Sequence, residues 1–267
     1  MKIFISADIE GVTTTTAWNE TDSSHGSYAL HAKQMTEEVL AAIAGAKAAG
    51  ADEIVVKDAH ASALNIDPTK MPKGVKLIRS WSGHPYSMAY GVDKTFDAAM
   101  FIGYHSAAGR MGNPLSHTIS GRHVYIKING VLASEFMLYS YAAAHEGVPT
   151  VFLAGDKMLC DDSADLHPNL ITCPVKDGLG RMTINYSVDE TLKSIKKLSE
   201  KALKQDLKKA LVKMPDFFEA EIYYKEHASA ERASWFPGVS KTSDNIVTFS
   251  SADYFEILRT VSWIISI

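Results

Sequence analysis

Short apolar runs alternate with stretches of helical spacing along most of the chain. Residues 2–7, 53–57, 75–79, 98–103 and 150–154 read as strands. Residues 34–50, rich in alanine and closed by Gly50, read as a helix, as do 135–146 ahead of Gly147. Residues 124–132 alternate about Asn129-Gly130, a strong hairpin signal. The strand runs are nearly continuous in apolar residues, as in strands covered on both faces. The pattern therefore predicts an α/β fold with a mostly parallel sheet and helices on both sides.

Past about residue 186 the texture changes. Residues 191–213 have the spacing of one long amphipathic helix, with Leu192, Ile195, Leu198, Leu203 and Leu207 as its core stripe. Its many lysines read as a solvated face and not as a basic interaction surface. Residues 219–225 and 246–250 read as strands, and 254–265 as a closing helix. The expected division is a larger α/β domain over 1–185 and a smaller α+β domain over 186–267. The hairpin near 122–132 has the option of packing with the second domain.

Composition narrows the class. The chain has 267 residues, 46% hydrophobic and 22% charged, which excludes disorder or coiled coil as its main state. The net charge of −4 argues against a nucleic-acid partner, because phosphate binding needs a clustered basic face. Two cysteines, Cys160 and Cys173, make no disulfide framework and read as free thiols. The opening apolar run is too short for a signal peptide, and no stretch reaches the ~20 apolar residues of a membrane span. A soluble, cytoplasmic protein is expected. The lopsided count is ten histidines against two cysteines.

The strand ends hold the candidate chemistry, since open parallel sheets bind ligands at the carboxyl ends of their strands. The first strand runs into Asp8-Ile9-Glu10, whose spacing puts both carboxylates on one face of an extended chain. The second runs into Asp58-Ala59-His60 and the fourth into Tyr104-His105. Ser116-His117 follows a loop, and Ser134-Glu135 opens a helix. Taken singly, each of these is most often a cap, a loop residue or a hydrogen-bonded structural histidine. Their coincidence at successive sheet-edge positions points to a metal site. Mixed imidazole and carboxylate donors suit Zn²⁺ and related divalent ions, with Mn²⁺ or Co²⁺ fitting the same set. Five donors exceed the usual three protein ligands of one catalytic zinc, and with one carboxylate bridging they fit two ions. Ions ~3.5–4 Å apart clamp an attacking hydroxide and polarise a carbonyl, leaving His117 for proton transfer or oxyanion stabilisation. Asp58 is a candidate to orient His60, or else a loop cap, and Asp156 a candidate support on the same edge.

These residues carry a family resemblance. Ser6-Ala7-Asp8-Ile9-Glu10-Gly11 resembles the Ser-x-Asp-x-Glu-Gly signature of the zinc-dependent D-aminopeptidases of the DppA type, peptidase family M55. The likeness continues through Lys57-Asp58-Ala59-His60, Gly103-Tyr104-His105, Ser116-His117-Thr118, Glu135 and Gly147-Val148-Pro149. It runs on through Val175-Lys176-Asp177-Gly178 and Phe236-Pro237-Gly238, so it covers nearly the whole chain. The resemblance implies a three-layer α/β/α domain with a smaller α/β domain. It implies Asp8, Glu10, His60, His105 and Glu135 as ligands of two zinc ions per subunit, Asp8 bridging, and His117 as the catalytic side chain. It implies an aminopeptidase acting on short peptides, plausibly with D-residues at the N-terminus, through a metal-bridging hydroxide. It also implies a homo-oligomer, a ring-shaped decamer. Ser134 and Ser106 depart from the family, which commonly has Gly and Ala there, and the loop after Gly11 aligns poorly, leaving specificity open.

Three other readings compete. Asp8-Ile9-Glu10 superficially resembles the Asp-x-Asp opening of a metal-dependent phosphohydrolase, but that leaves His60, His105 and Glu135 without a role. A nucleotide-binding module lacks its Gly-rich loop here. A non-catalytic peptide-binding homologue would be expected to have lost part of the ligand set.

Overall fold

In chain order, β1 (Lys2–Ala7) leads through a long loop to α1 (Tyr28–Ala48), then β2 (Glu53–Asp58), β3 (Val75–Ile78) and β4 (Ala98–Tyr104). Next come β5 (His123–Ile128), β6 (Val131–Leu132), α2 (Glu135–His145), β7 (Thr150–Asp156) and α3 (Lys157–Leu166). The chain continues through β8 (Ile171–Leu179), β9 (Met182–Asn185), α4 (Val188–Leu203), β10 (Phe218–Tyr224) and α5 (His227–Ala233). It closes with β11 (Ser240–Lys241), β12 (Ile246–Ser251) and α6 (Tyr254–Ile264). The structure is a computed structural model and describes residues 1–167 and 169–265.

The larger sheet has the order β3-β2-β1-β4-β7-β8-β9. All its pairs are parallel except β8–β9. Alternation sorts its side chains. Ile3, Ile5 and Ala7 of β1 pack with α1 and α4 on one face. Phe4 joins Phe101, Phe136 and the residues of α2 and α6 on the other. The smaller sheet, β11-β12-β10-β5-β6, is antiparallel. Its Ile126, Phe218 and Val247 share the core of that second face. The β5–β6 hairpin therefore belongs to the smaller sheet. Its turn residues Asn129 and Gly130 both have positive φ, 50° and 79°, as a type I′ turn requires. The expected α/β class with a mostly parallel sheet and a smaller second sheet is what the chain forms.

Some elements differ from the sequence pattern. Helix α1 starts at Tyr28, ahead of the predicted 34, because its first turn buries a polar side chain, His31, against Thr14 and Thr15 of the preceding loop and so interrupts the apolar signal. The predicted helix 191–213 ends at Leu203, and a separate short turn, Leu207–Ala210, is capped by the Asp206 carboxylate. The Leu203–Leu207 spacing continues the apolar stripe across the break. Helix α4 packs against α1 of the larger sheet's layer. Lys193 in the helix and Lys204 just past its end pair with acids one turn back, Asp189 and Glu200, as on a solvated face. Strand β8 escapes a pattern search because Pro174 and a buried lysine, Lys176, interrupt it.

The chain order reverses between β1 and β4, the topological switch point of the larger sheet. The carboxyl ends of β1, β2 and β4 meet there, beside the start of α2.

Candidate metal centre

Asp8 and Glu10 leave β1 on a loop locked to the end of β4. The Asp8 N–H donates to the Ile102 carbonyl at 2.9 Å and the Gly11 N–H to the Gly103 carbonyl at 2.8 Å. A Cβ on Gly11 would lie 1.9 Å from the Tyr104 carbonyl oxygen, so only glycine lets the two loops close. The Glu10 carbonyl is held from behind by the Asn113 amide at 3.0 Å and by the buried ammonium of Lys176, which also reaches the Thr15 carbonyl. Burial pulls the Lys176 pKa down to about 8. Both carboxylates end up 2% exposed and aimed at the centre.

The three predicted histidines arrive on separate loops and are each fixed by a backbone carbonyl. His60 Nε2 meets the Thr21 carbonyl at 2.9 Å, His105 Nδ1 meets that of Ser106 at 3.0 Å, and His117 Nδ1 meets that of Leu115 at 2.9 Å. A carbonyl oxygen only accepts, so each of these nitrogens carries the proton. The other nitrogen of each ring then turns inward. His60 Nδ1 lies 3.0 Å from Glu10 Oε2 and 3.4 Å from Asp8 Oδ1. His105 Nε2 lies 3.2 Å from Glu135 Oε2 and 3.5 Å from Asp8 Oδ2. His117 Nε2 lies 3.6 Å from Glu135 Oε1, and its ring stacks on His105 with centroids 4.5 Å apart.

Glu135 is the first residue of α2, where the Ser134 hydroxyl caps the helix by accepting from the Met137 N–H at 3.1 Å. Its Oε1 accepts from the Ile119 N–H at 2.5 Å. Ile119 sits at φ 64°, a left-handed conformation that a β-branched residue rarely adopts. That strain aims its amide at Glu135.

The structure thus brings all six predicted residues into one cluster. It tests the fit of a cation there directly. Glu10 Oε2 and His105 Nε2 are buried and have no hydrogen-bond partner, although each has opposed groups in contact range. Inner imidazole nitrogens facing carboxylates at 3.0–3.6 Å, without hydrogen-bond geometry at these two atoms, are donor atoms lacking an acceptor of their electrons. Two groups of three have ligand atoms within 4.8 Å of one another: Asp8, Glu10 and His105, and His105, His117 and Glu135. The donor set fits a divalent ion.

The electrostatics say the same. Burial, and then the charge of Glu10, push Asp8 well above the usual carboxylate range. Burial also opposes ionisation of Glu10 and Glu135, but the neighbouring imidazoles outweigh it and hold both below that range, Glu10 furthest. Burial opposes protonation of His60 and His105, yet the surrounding carboxylates raise them to about 12 and about 10. Three buried carboxylates demand positive charge among them.

Asp58 takes the loop-cap role and does not orient His60. It accepts from the N–H of Asn65 at 2.6 Å, that of Ile66 at 2.7 Å and the Asn65 amide at 2.7 Å. The Asn65 amide in turn reaches the His60 carbonyl at 2.7 Å, so Asp58 acts on the His60 loop one residue removed. Asp156 does support the site. It accepts from the N–H and hydroxyl of Ser106 at 2.7 and 2.6 Å, which anchors the residue next to His105, and it caps α3.

A cavity of about 800 Å³ opens over the cluster, lined among others by Asp8, Glu10, His60, His117 and Glu135. Sequence reasoning missed the Thr21 and Leu115 carbonyls, the Ile119 amide and Asn113. Backbone groups leave no residue signature, whereas Lys176 left one, a lone lysine inside a buried strand.

A model of the D-aminopeptidase family, peptidase M55, matches residues 1–263. The chain belongs to that family. A D-aminopeptidase of Bacillus subtilis (strain 168) is 32% identical over 266 residues, spanning 98% of this chain and 95% of that protein. A solved structure, described as the Zn-dependent D-aminopeptidase DppA from Bacillus subtilis, a self-compartmentalizing protease, matches with a TM-score of 0.93 and 28% identity. That match covers 100% of this chain and 97% of the other. This D-aminopeptidase family member is therefore an enzyme, a hydrolase of peptide bonds.

Proposed function

We propose that this chain is a zinc-dependent aminopeptidase that removes D-amino acids from the N-termini of short peptides. Asp8, Glu10, His60, His105 and Glu135 would hold two zinc ions, with Asp8 between them. The observation that carries the reading is the inward-facing nitrogen of each imidazole, aimed at the carboxylates by an N–H given outward to a backbone carbonyl. When bound, paired divalent ions lower the pKa of water towards ~7 and polarise a substrate carbonyl.

The chain's own residues do the rest. Thr21, Ser106 and Leu115 hold three imidazoles in one tautomer and orientation. His117 faces the cavity with its side chain 15% exposed, and Nε2 is its free nitrogen. Nε2 would first take a proton from the attacking water; as an imidazolium His117 would then stabilise the tetrahedral intermediate or pass that proton to the leaving amine.

The test is a paired panel of D- and L-aminoacyl amides and dipeptides assayed with zinc-loaded protein. The reading expects amine release from D-substrates with L-counterparts at least about tenfold slower, a discrimination of ordinary size for pocket shape. Equal rates, or a preference for L, would contradict it.

The assembly we infer is a ring-shaped homodecamer. Support comes from the self-compartmentalizing relative and from Leu179, Met182 and Ile184 on the β8–β9 hairpin, which stand 54%, 53% and 56% exposed. Light scattering should return the mass of ten 29.2 kDa chains, and a monomer at micromolar concentration would contradict this.

A further inference from the structure

The walls of the cavity are unequal. On the His60 side stands Trp81, which is fixed. Its indole N–H donates to the Ala61 carbonyl at 2.6 Å, and the Lys57 ammonium sits 4.0 Å from its ring centroid. On the His117 side stands Trp18, on the loop between β1 and α1 that the family signature does not cover. Its ring meets the His117 ring edge-on, with centroids 5.3 Å apart.

The backbone that carries Trp18 is built, not loose. The Glu20 carboxylate accepts from the N–H groups of Thr16 at 2.6 Å and Ala17 at 2.9 Å. The Thr21 hydroxyl donates to the Trp18 carbonyl at 2.9 Å. The same Thr21 gives its own carbonyl to His60. The segment that fixes a candidate metal ligand therefore also sets Trp18 at the cavity wall.

Trp18 is nevertheless 52% exposed, a large ring left uncovered at the cavity's edge. Aromatic rings in that position bind apolar partners through area and edge contacts at little entropic cost. The charge of the surroundings narrows the partner. Asp22 lines the same rim, and neither Lys nor Arg is among the described residues lining the cavity. An acidic group beside Trp18 would meet repulsion from Asp22 with no cation among those lining residues to offset it.

We infer that Trp18 is the specificity-determining residue for the amino acid that follows the scissile bond, and that it selects a neutral apolar side chain over an acidic one. This rests on the proposed aminopeptidase reading, and within it on His117 as the group that passes a proton to the leaving amine. Trp18 lies against His117, so the residue departing with that amine passes its indole face.

The test compares kcat/KM for wild type, Trp18→Ala and Trp18→Phe on three substrates that share one N-terminal D-residue. The second position is leucine, glutamate or a bare amide nitrogen. Wild type should favour leucine over glutamate by about tenfold or more. In Trp18→Ala the ratio of leucine substrate to bare amide should fall by about tenfold, and Trp18→Phe should restore most of it. A ratio unchanged in Trp18→Ala overturns the inference, whether both rates fall together through His117 or neither falls. A wild type that cleaves all three but prefers glutamate overturns it as well. A wild type that cleaves none defeats the aminopeptidase reading, and this inference with it.

Discussion

Replacing His60 by alanine, or Glu135 by glutamine, should abolish hydrolysis and metal binding together, with kcat/KM down ~10³-fold or more. His60 stands on the loop after β2 and Glu135 opens α2, but the two close the same shell. His60 Nδ1 faces Glu10 and Asp8, and Glu135 Oε2 faces His105. Loss of His60 leaves Asp8 and Glu10 buried and opposed with one fewer donor to hold a cation between them. Glu135→Gln keeps the shape and an oxygen for the Ile119 N–H but removes the charge. Its effect therefore reports charge and not packing. His227→Ala, at an exposed histidine on α5, serves as the control and should leave metal content and rate unchanged. Equal losses there would mean that the assay reads general damage.

His117→Ala should lose activity by ~10²–10⁴-fold and keep its metal. His117 has contacts that suit a ligand, since its Nε2 lies near Glu135 and its ring stacks on His105. What separates it from His60 and His105 is its ring contact with Trp18 and its greater side-chain exposure, 15% against 10% and 0%. In the proposed mechanism a group there would handle a proton or an oxyanion at the substrate. Metal analysis beside steady-state kinetics decides the point. Loss of metal from His117→Ala would make it a ligand and remove it from proton handling.

Much of this centre was legible in the sequence because a parallel sheet gathers its strand ends in one place. Asp8, Glu10, His60 and His105 follow β1, β2 and β4 within three residues, so assigning the strands located the chemistry. Glu135 was marked by the Ser134 cap at the start of a helix. The parts that escaped are those carried by backbone atoms or by conformations that contradict residue preference. Nothing in the side chain of Thr21 announces that its carbonyl fixes His60. Ile119 is a poor choice for a positive φ, and its amide still does the work of holding Glu135. Asp58 reads from sequence as either a partner of His60 or a loop cap, and it takes the second role, accepting from Asn65 and Ile66.

At the level of the fold, misreadings came where tertiary contacts outweigh local pattern. The first turns of α1 bury polar residues, and the apolar stripe of α4 runs past its own end into a turn capped by Asp206. Strand β8 holds a buried lysine because that ammonium is needed behind Glu10. The conflicts in α1 and β8 touch the loop and the carbonyls that shape the site, where function outweighs regularity.

The measurement that tests the central claim most directly is zinc content per chain. Wild type and His60→Ala are loaded with zinc and dialysed side by side, and elemental analysis is normalised to protein. The account predicts two ions per wild-type chain and loss of metal from the variant. Full occupancy in His60→Ala, or a wild type that retains no zinc, would contradict it.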